Sequence, residues 1–543
     1  MQKNKFCPWS LVGALIFALC TVIGAHFAPF GNDVGGFGNR MDLLKYLPVF
    51  VVLTAVYYRV LHFLLNRTYA KKTEAPAGKF FQFYEKYIFL VSFLVIALAW
   101  IPYVITFYPG SVCFDGYFQL NQVVGVRPLT NKHPIMSTFI LGFFFKLGRL
   151  VNDNFGVFLY VMFQLLASSA IYALSIRQIR RIGMSLKACV LAVLYFALVP
   201  VWGAYIQAVV KDTLYTAVFV WFAVWCVTLA DEVFHKDKNI QRKTLIMSFL
   251  TAFFVCILRQ NGKYIVLPTL VCLAAVSLKK WKQMVIFLLV FMVAITGYDK
   301  AVVPMFSTAQ ISRRAIFSVM FQQTAKYMRS YPEEVTEEEY EIIDKVLKAD
   351  IIAEEYNPRL SNSVKNTFRN NTSNENIKEY LKVWFKMFWK HPGVYLEAFL
   401  QFCYGYLDPF HYSDCVPIFQ NYITGPPMAT GAMDIHYTQR GSYLIRLTDY
   451  EMLWMEMFPL TLLTYPGTYT WLTLFCILLL CKKKRWRQLA VMPMPVFTIL
   501  TNIASPVNGC LRYTLPLMAL MPFLLAWTVK EARIGDEGKE IIK

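Results

Sequence analysis

Apolar runs long enough, or nearly long enough, to cross a hydrocarbon core recur along this chain, and no other feature restricts its fold as strongly. A bilayer core about 30 Å thick takes roughly 17 to 25 helical residues. Runs of this kind lie near residues 9–29, 42–64, 87–107, 155–176, 188–209, 213–230, 245–258, 264–278, 284–302, 465–481, 489–505 and 513–529, several of them short. Backbone groups in lipid must be satisfied within their own segment, so each run is expected to be a helix. The expected fold class is an all-α polytopic membrane protein of about twelve spans. Of 543 residues, 57% are hydrophobic and only 16% charged, where a soluble domain carries about 25%. A soluble enzyme, a disordered chain and a disulfide-stapled secreted module are excluded.

The net charge of +20, from 54 Lys+Arg against 34 Asp+Glu, has two possible meanings: a nucleic-acid footprint or an orientation code. Segments 59–86 (with Arg67, Lys71 and Lys72), 177–187, 236–243, 279–282 and 482–487, the tail after Lys530, and the N-terminus with Lys3 and Lys5 are all basic. With the N-terminus inside, twelve spans place every one of them in the cytoplasm, about +19 inside against about +1 outside. The charge is therefore read as topology, with both termini cytoplasmic and no nucleic-acid partner. The first run is read as an anchor, because no small-residue cleavage site precedes the next span.

Residues 135–150 are apolar but short, and a full crossing there would invert every later basic loop. They are read as a re-entrant or membrane-surface helix. Three regions follow: a transmembrane core over 1–302 with an outer loop at 108–154, an extracytoplasmic helical domain over 303–463, and C-terminal helices with a cytoplasmic tail over 464–543. In the outer domain, Ile342, Ile343, Val346 and Leu347 fall at helical spacing, and Thr336 with Glu339 forms a capping-box pattern. Residues 380–389 repeat the apolar period until His391-Pro392 ends it, and 408–440, rich in Pro, Gly, Asn and Tyr, reads as an ordered loop. Of twelve cysteines, most lie in the runs and only Cys113, Cys403, Cys415 and Cys510 fall on the outer side of the membrane; the alternatives for these four are a disulfide and free thiols, free thiols being preferred, and no pair has metal-finger spacing.

Four polar clusters interrupt the apolar sequence, and the topology brings all four to the outer membrane face. Ionisable groups near membrane depth cost several kcal/mol unless they face a cavity or partner. The first runs from Tyr108-Pro109-Gly110 through Asp115 and Gln119 to Lys132-His133-Pro134. There Asp115 can be the base for an acceptor hydroxyl, or only a helix cap, while Lys132 and His133 can hold a phosphate. The second is Lys211-Asp212, either a phosphate and metal or acceptor site or a cap with an interfacial anchor. The third, Arg259-Gln260-Asn261-Gly262-Lys263, is a cationic outer turn suited to an anionic headgroup. The fourth is Arg512-Tyr513, whose arginine serves either a substrate phosphate or a structural ion pair.

Carboxylates beside cations at a lipid boundary fit transfer of a sugar from a polyprenyl phosphate: a carboxylate activates the acceptor and cations stabilise the departing phosphate. No Walker loop or dinucleotide fingerprint is present. With these residues placed, the pattern resembles the C-type (GT-C fold) glycosyltransferase superfamily, and more closely an uncharacterised family of polytopic Gram-positive bacterial membrane proteins within it. Further matches are the Gln322-to-Tyr327, Val335-to-Glu339 and Val364-Lys365 stretches and residues 384–392.

The resemblance implies that Asp115 is the base or a metal ligand, with Asp212 as the second acid. Gly116 stands where the superfamily's paired-acid motif would place the second carboxylate. The expected function is membrane glycosyltransfer, inverting, from a polyprenyl-phosphate donor to a cell-envelope glycan, lipid or protein on the extracytoplasmic face. Asp115 and Asp212 would be catalytic and candidate ligands of a divalent cation (Mg or Mn). Lys132, His133, Lys211, Arg259, Asn261, Arg512, Tyr513 and Gln119 would bind phosphate or substrate. The alternatives are a lipid-linked oligosaccharide flippase or transporter, and an envelope glycan polymerase or ligase using a diphosphate-linked donor.

Overall fold

The computed structural model describes residues 6–31, 36–37, 44–69, 78–235, 239–307, 314, 316–413, 419, 421, 432–437 and 441–540. Among them the regular elements are all helices, with no strand. Seven helices are long and apolar enough to cross a membrane: Pro8–Phe30, Tyr46–Asn66, Ile88–Thr106, Asp153–Arg181, Lys211–Phe234, Leu278–Phe306 and Leu511–Ile534. An eighth crossing is available if Leu186–Leu198 and Pro200–Ile206, bent by 52° where Pro200 opens the second piece, act as one. The remaining expected spans are helical but short: Arg242–Leu258, Gly262–Ala275, Pro466–Lys482 and Pro493–Ile503. Every apolar run in the sequence is thus helical where described, and among the described residues seven helices, or eight with the bent pair, meet the length criterion.

Burial separates a centre from a periphery. In their most apolar stretch, Lys211–Phe234 and Leu511–Ile534 are each 78% buried, against 6% for Tyr46–Asn66. The two enclosed helices begin with Lys211-Asp212 and with Leu511-Arg512, so the most internal elements of the core deliver three of the candidate charges.

The short apolar segment is a helix, Ile135–Arg149, which turns back through three residues into Asp153–Arg181. The two run antiparallel: a Cβ on Gly148 would lie 2.5 Å from the Gly156 Cα, and Phe144 stacks on Phe163 at 4.3 Å. Phe139, Phe143, Leu147 and Leu150 remain exposed along its outer face, an apolar stripe at helical spacing.

Residues 317–395 build a second core around Phe321, Tyr327, Ile343, Leu347, Tyr380 and Tyr395. Its capping box forms as the sequence indicates, with Glu339 N donating to Thr336 Oγ1 at 3.2 Å and Thr336 N to the Glu339 carboxylate at 3.1 Å. The Asn374–Lys390 helix stops at His391 and Pro392 starts the next. Of the 408–440 stretch, the described residues are not helical, and 414–418, 420, 422–431 and 438–440 lie outside the described residues. Cys113, Cys403 and Cys510 are buried free thiols, and Cys415 lies outside the described residues.

This second body, together with the Pro392–Leu407 helix that continues from it, grips the loop before Leu511. Ser361 N donates to Pro506 O at 2.9 Å, Asn508 N to Arg359 O at 2.9 Å, and Gly405 N to the Asn508 side chain at 2.9 Å. Tyr406 Oη donates to Val507 O at 2.8 Å and accepts from Cys510 N at 3.1 Å. Arg512 therefore stands two residues beyond a strap fixed by buried hydrogen bonds.

Candidate functional site

The loop leading to Asp115 and the loop leading to Lys211-Asp212 are held in register by one short parallel bridge. Ser111 N donates to Gln207 O at 3.1 Å, and Val209 N donates to Ser111 O at 2.8 Å. Glycine is required on the Asp115 side. A Cβ on Gly116 would lie 2.2 Å from the Val209 carbonyl oxygen, and one on Gly110, whose φ is +131°, would lie 2.9 Å from the Gln207 oxygen. A side chain at position 116, a second carboxylate included, has no room here.

The charges converge where three helices start, with Asp115 in the first turn of Phe114–Val123, Lys211-Asp212 opening Lys211–His235 and Arg512 opening Leu511–Glu540, while His133 precedes Ile135–Arg149 and Arg259 ends Arg242–Leu258. Lys211 Nζ lies 2.9 Å from Asp115 Oδ2 and 3.1 Å from His133 Nδ1. Arg512 reaches the same Asp115 oxygen at 3.3 Å and Asp212 Oδ2 at 3.5 Å, and Arg259 approaches Asp212 Oδ1 at 3.4 Å. Asp212 is 1% exposed, yet neither of its oxygens makes an aligned hydrogen bond; the guanidinium groups stand beside it without closing on it. The Arg259 guanidinium lies 5.3 Å from the ring centres of both Tyr215 and Tyr513, contacts that fix a cation without neutralising it.

Protonation follows from these neighbours. Burial works to raise the Asp115 carboxyl, but the Lys211 ammonium and the Arg512 guanidinium outweigh it and hold the group well below the usual carboxylate range. Burial, aided by Lys211, pushes His133 down to about 4. A neutral imidazole next to an ammonium accepts at Nδ1, so its proton sits on Nε2. With His133 neutral, Lys211, Arg259 and Arg512 stand against Asp115 and Asp212, leaving one positive charge.

That balance does not fit a divalent cation. Each carboxylate is already faced by cations, and among the described residues no group of three or more His, Cys, Asp or Glu side chains comes together. A metal between Asp115 and Asp212 would meet guanidinium and ammonium groups rather than oxygen donors. The N-termini of Phe114–Val123, Lys211–His235 and Leu511–Glu540 outnumber the one C-terminus, at Arg259, and add positive potential, so the donor set suits an anion.

Seven anticipated residues are thus brought together: Asp115, His133, Lys211, Asp212, Arg259, Arg512 and Tyr513. Gln119 is not among them, since its amide donates to Ser137 and Thr138 at 2.9 Å and ties two helices together. Asn261 sits at the start of Gly262–Ala275 without a capping hydrogen bond, while its neighbour Gln260 donates to Asn131 O at 2.5 Å. Lys132 is exposed and stands 4.7 Å from the Phe118 ring centre, with Arg127 5.0 Å from the same ring, and makes no salt bridge among the described residues. In the outer body Lys365 Nζ donates to the Asn362 side chain at 2.8 Å. Burial and the charges of Arg314 and Lys132 push Lys365 down to about 8.

Arg127, Arg314 and Tyr215 escaped the sequence reading. Arg127 belongs to a polar loop without periodicity, and Tyr215 is one aromatic among many in an apolar run. Its position one turn after Lys211 was the available signal.

Residues 126–541 match a family described as "Family of unknown function (DUF6020)". The match takes in His133, Lys211, Asp212, Arg259 and Arg512 and begins after Asp115. No curated protein and no solved structure matches the chain.

Proposed function

The chain belongs to the DUF6020 family, whose function is unknown, and from the charge balance of its buried cluster we propose that it is a membrane glycosyltransferase with a polyprenyl-phosphate-linked donor. The observation that carries this reading is the meeting of Lys211, Arg259 and Arg512 with Asp115 and Asp212, one positive charge in excess, at the start of the two most enclosed helices. A phosphodiester donor has one negative charge and matches that excess. In this reading Lys211 and Arg512 take the phosphate, Arg259 braces Asp212, and Asp115 accepts the proton of the acceptor hydroxyl.

The acceptor is a glycan, lipid or protein of the cell envelope. The outer body, which grips the loop before Arg512, shapes its approach. The finer architecture belongs to the same proposal: about twelve crossings counted with the short helices, a GT-C-like arrangement, cytoplasmic termini and an extracytoplasmic site. The basic loops at 177–187, 279–282 and 482–487 support that orientation.

A diphosphate-linked donor, as for an envelope glycan polymerase or ligase, is the second reading. Arg127, Lys132, Arg314 and Lys365 favour it, because a second phosphate needs cations beyond the central three. The test is transfer by purified protein in proteoliposomes, supplied with polyprenyl-phosphate or polyprenyl-diphosphate sugars and envelope acceptors, with products read by mass spectrometry. Asp115→Asn is expected to abolish transfer while leaving expression intact; unchanged activity rejects the assignment.

A further inference from the structure

Resting on that lipid-phosphate reading, we propose that the donor itself arms the site: Asp115 holds the cations that the phosphate needs, and phosphate binding draws Lys211 and Arg512 away and frees Asp115 to act as base. As the protein stands, both cations converge on one oxygen, Asp115 Oδ2, at 2.9 and 3.3 Å. A carboxylate so engaged is a poor proton acceptor, and its hold on the cations competes with any other anion.

Among the described residues, nothing else in the cluster ties Lys211 down as strongly. Its second contact is a neutral imidazole nitrogen, His133 Nδ1, and an ammonium has a third N–H to offer. Arg512 is similarly poised, its Asp212 contact at 3.5 Å being without hydrogen-bond alignment. The charged and titratable groups around Asp115 are Lys211, Arg512, His133 and, farther out, Lys132, Asp212, Cys113 and Tyr513.

The charges balance through the reaction. With a singly charged phosphodiester bound, three cations face two carboxylates and one phosphate charge, and the cluster is neutral. In transfer the acceptor O–H bond breaks and its oxygen bonds to the anomeric carbon. The bond from that carbon to the phosphate oxygen breaks, its electron pair leaving with the phosphate. The proton moves to Asp115, so the phosphate gains a negative charge as Asp115 loses one, and the cluster stays neutral. Donor binding therefore precedes productive acceptor binding.

The test is calorimetric binding of inorganic phosphate and of dodecyl phosphate to the full-length protein in detergent, wild type against Asp115→Asn. If Asp115 competes for the cations, the variant binds both anions about tenfold more tightly or better, although it no longer transfers sugar. If Asp115 instead organises the cations, the variant binds the same or more weakly, and the arming step is overturned while the phosphate site stands. Absence of binding to either protein overturns the phosphate site and the arming step together. Dodecyl phosphate is expected to bind more tightly than inorganic phosphate; equal affinity overturns the lipid source alone. Asp115→Ser, which also removes the charge, carries the same expectation should the asparagine variant fail to fold.

Discussion

Lys211 and Asp115, 96 positions apart in the chain, meet at 2.9 Å. The bridge between Ser111 and Ala208 sets their register, and it closes only because Gly110 and Gly116 carry no side chain. The chemistry of the cluster thus depends on backbone contacts that contribute no functional group themselves.

Replacing Lys211 with Met is expected to lower kcat/KM for sugar transfer by about 10²–10³, the usual loss when one preorganised electrostatic group is removed. Lys211→Arg keeps the charge and is expected to retain part of the activity. Steady-state kinetics on both variants checks this; equal losses would mean that charge is not what Lys211 supplies.

Gly116→Ala places a methyl group against the Val209 carbonyl. Overpacking of this kind costs about 1–3 kcal/mol, and transfer is expected to fall because Asp115 and Lys211 lose register. Gly393→Ala, where a Cβ meets nothing within 4 Å, is the comparison and is expected to leave the melting temperature in detergent unchanged or higher.

His133 gives a pH signature. Its folded pKa, about 4, lies below the unfolded value near 6.5, so the folded state binds the proton less readily. The stability it contributes is fully present above about pH 6.5 and is lost as pH falls towards 4, about 2–3 kcal/mol across that window. Thermal unfolding from pH 7 to pH 4 should show a steeper decline for the wild type than for His133→Gln. Parallel curves would place the imidazole in an unperturbed setting.

Lys365 is expected to show a trade-off. Its folded pKa of about 8 lies below its unfolded value, so burying the charged form opposes folding at pH 7 and ceases to do so above about pH 10.4. Lys365→Met is therefore expected to stabilise the protein at pH 7 by about 1–2 kcal/mol, after allowance for partial exposure, while weakening diphosphate binding. Denaturation and pyrophosphate calorimetry on the same variant read the two effects. A stabilised protein with unchanged affinity would make Lys365 a packing fault and remove the main support for a diphosphate donor.

Much of this was legible in the sequence because membranes and helix ends leave local signals. Each apolar run became a helix, Thr336 and Glu339 closed their capping box, and Asp115, Lys211, Asp212, Arg259 and Arg512 stood out as charges interrupting apolar sequence. Span lengths were less legible, since Gly262–Ala275 and Pro493–Ile503 are shorter than their apolar runs. Gln119 was misleading, because a buried amide satisfied by Ser137 and Thr138 reads in sequence like a ligand. Pairing was not legible at all. The strap from Ser361 and Tyr406 to residues 506–510, and the space that Gly116 leaves for Val209, depend on chain segments far apart in sequence.

The central claim is that Lys211 and Arg512 form a site for a lipid phosphate, and native mass spectrometry of the purified protein with a polyprenyl phosphate and the matching polyprenol addresses it most directly. The phosphate is expected to bind at least about tenfold more tightly than the alcohol, and the difference is expected to vanish in Lys211→Met/Arg512→Met. Equal binding of the two lipids by the wild type, or an undiminished preference in the double variant, would contradict it.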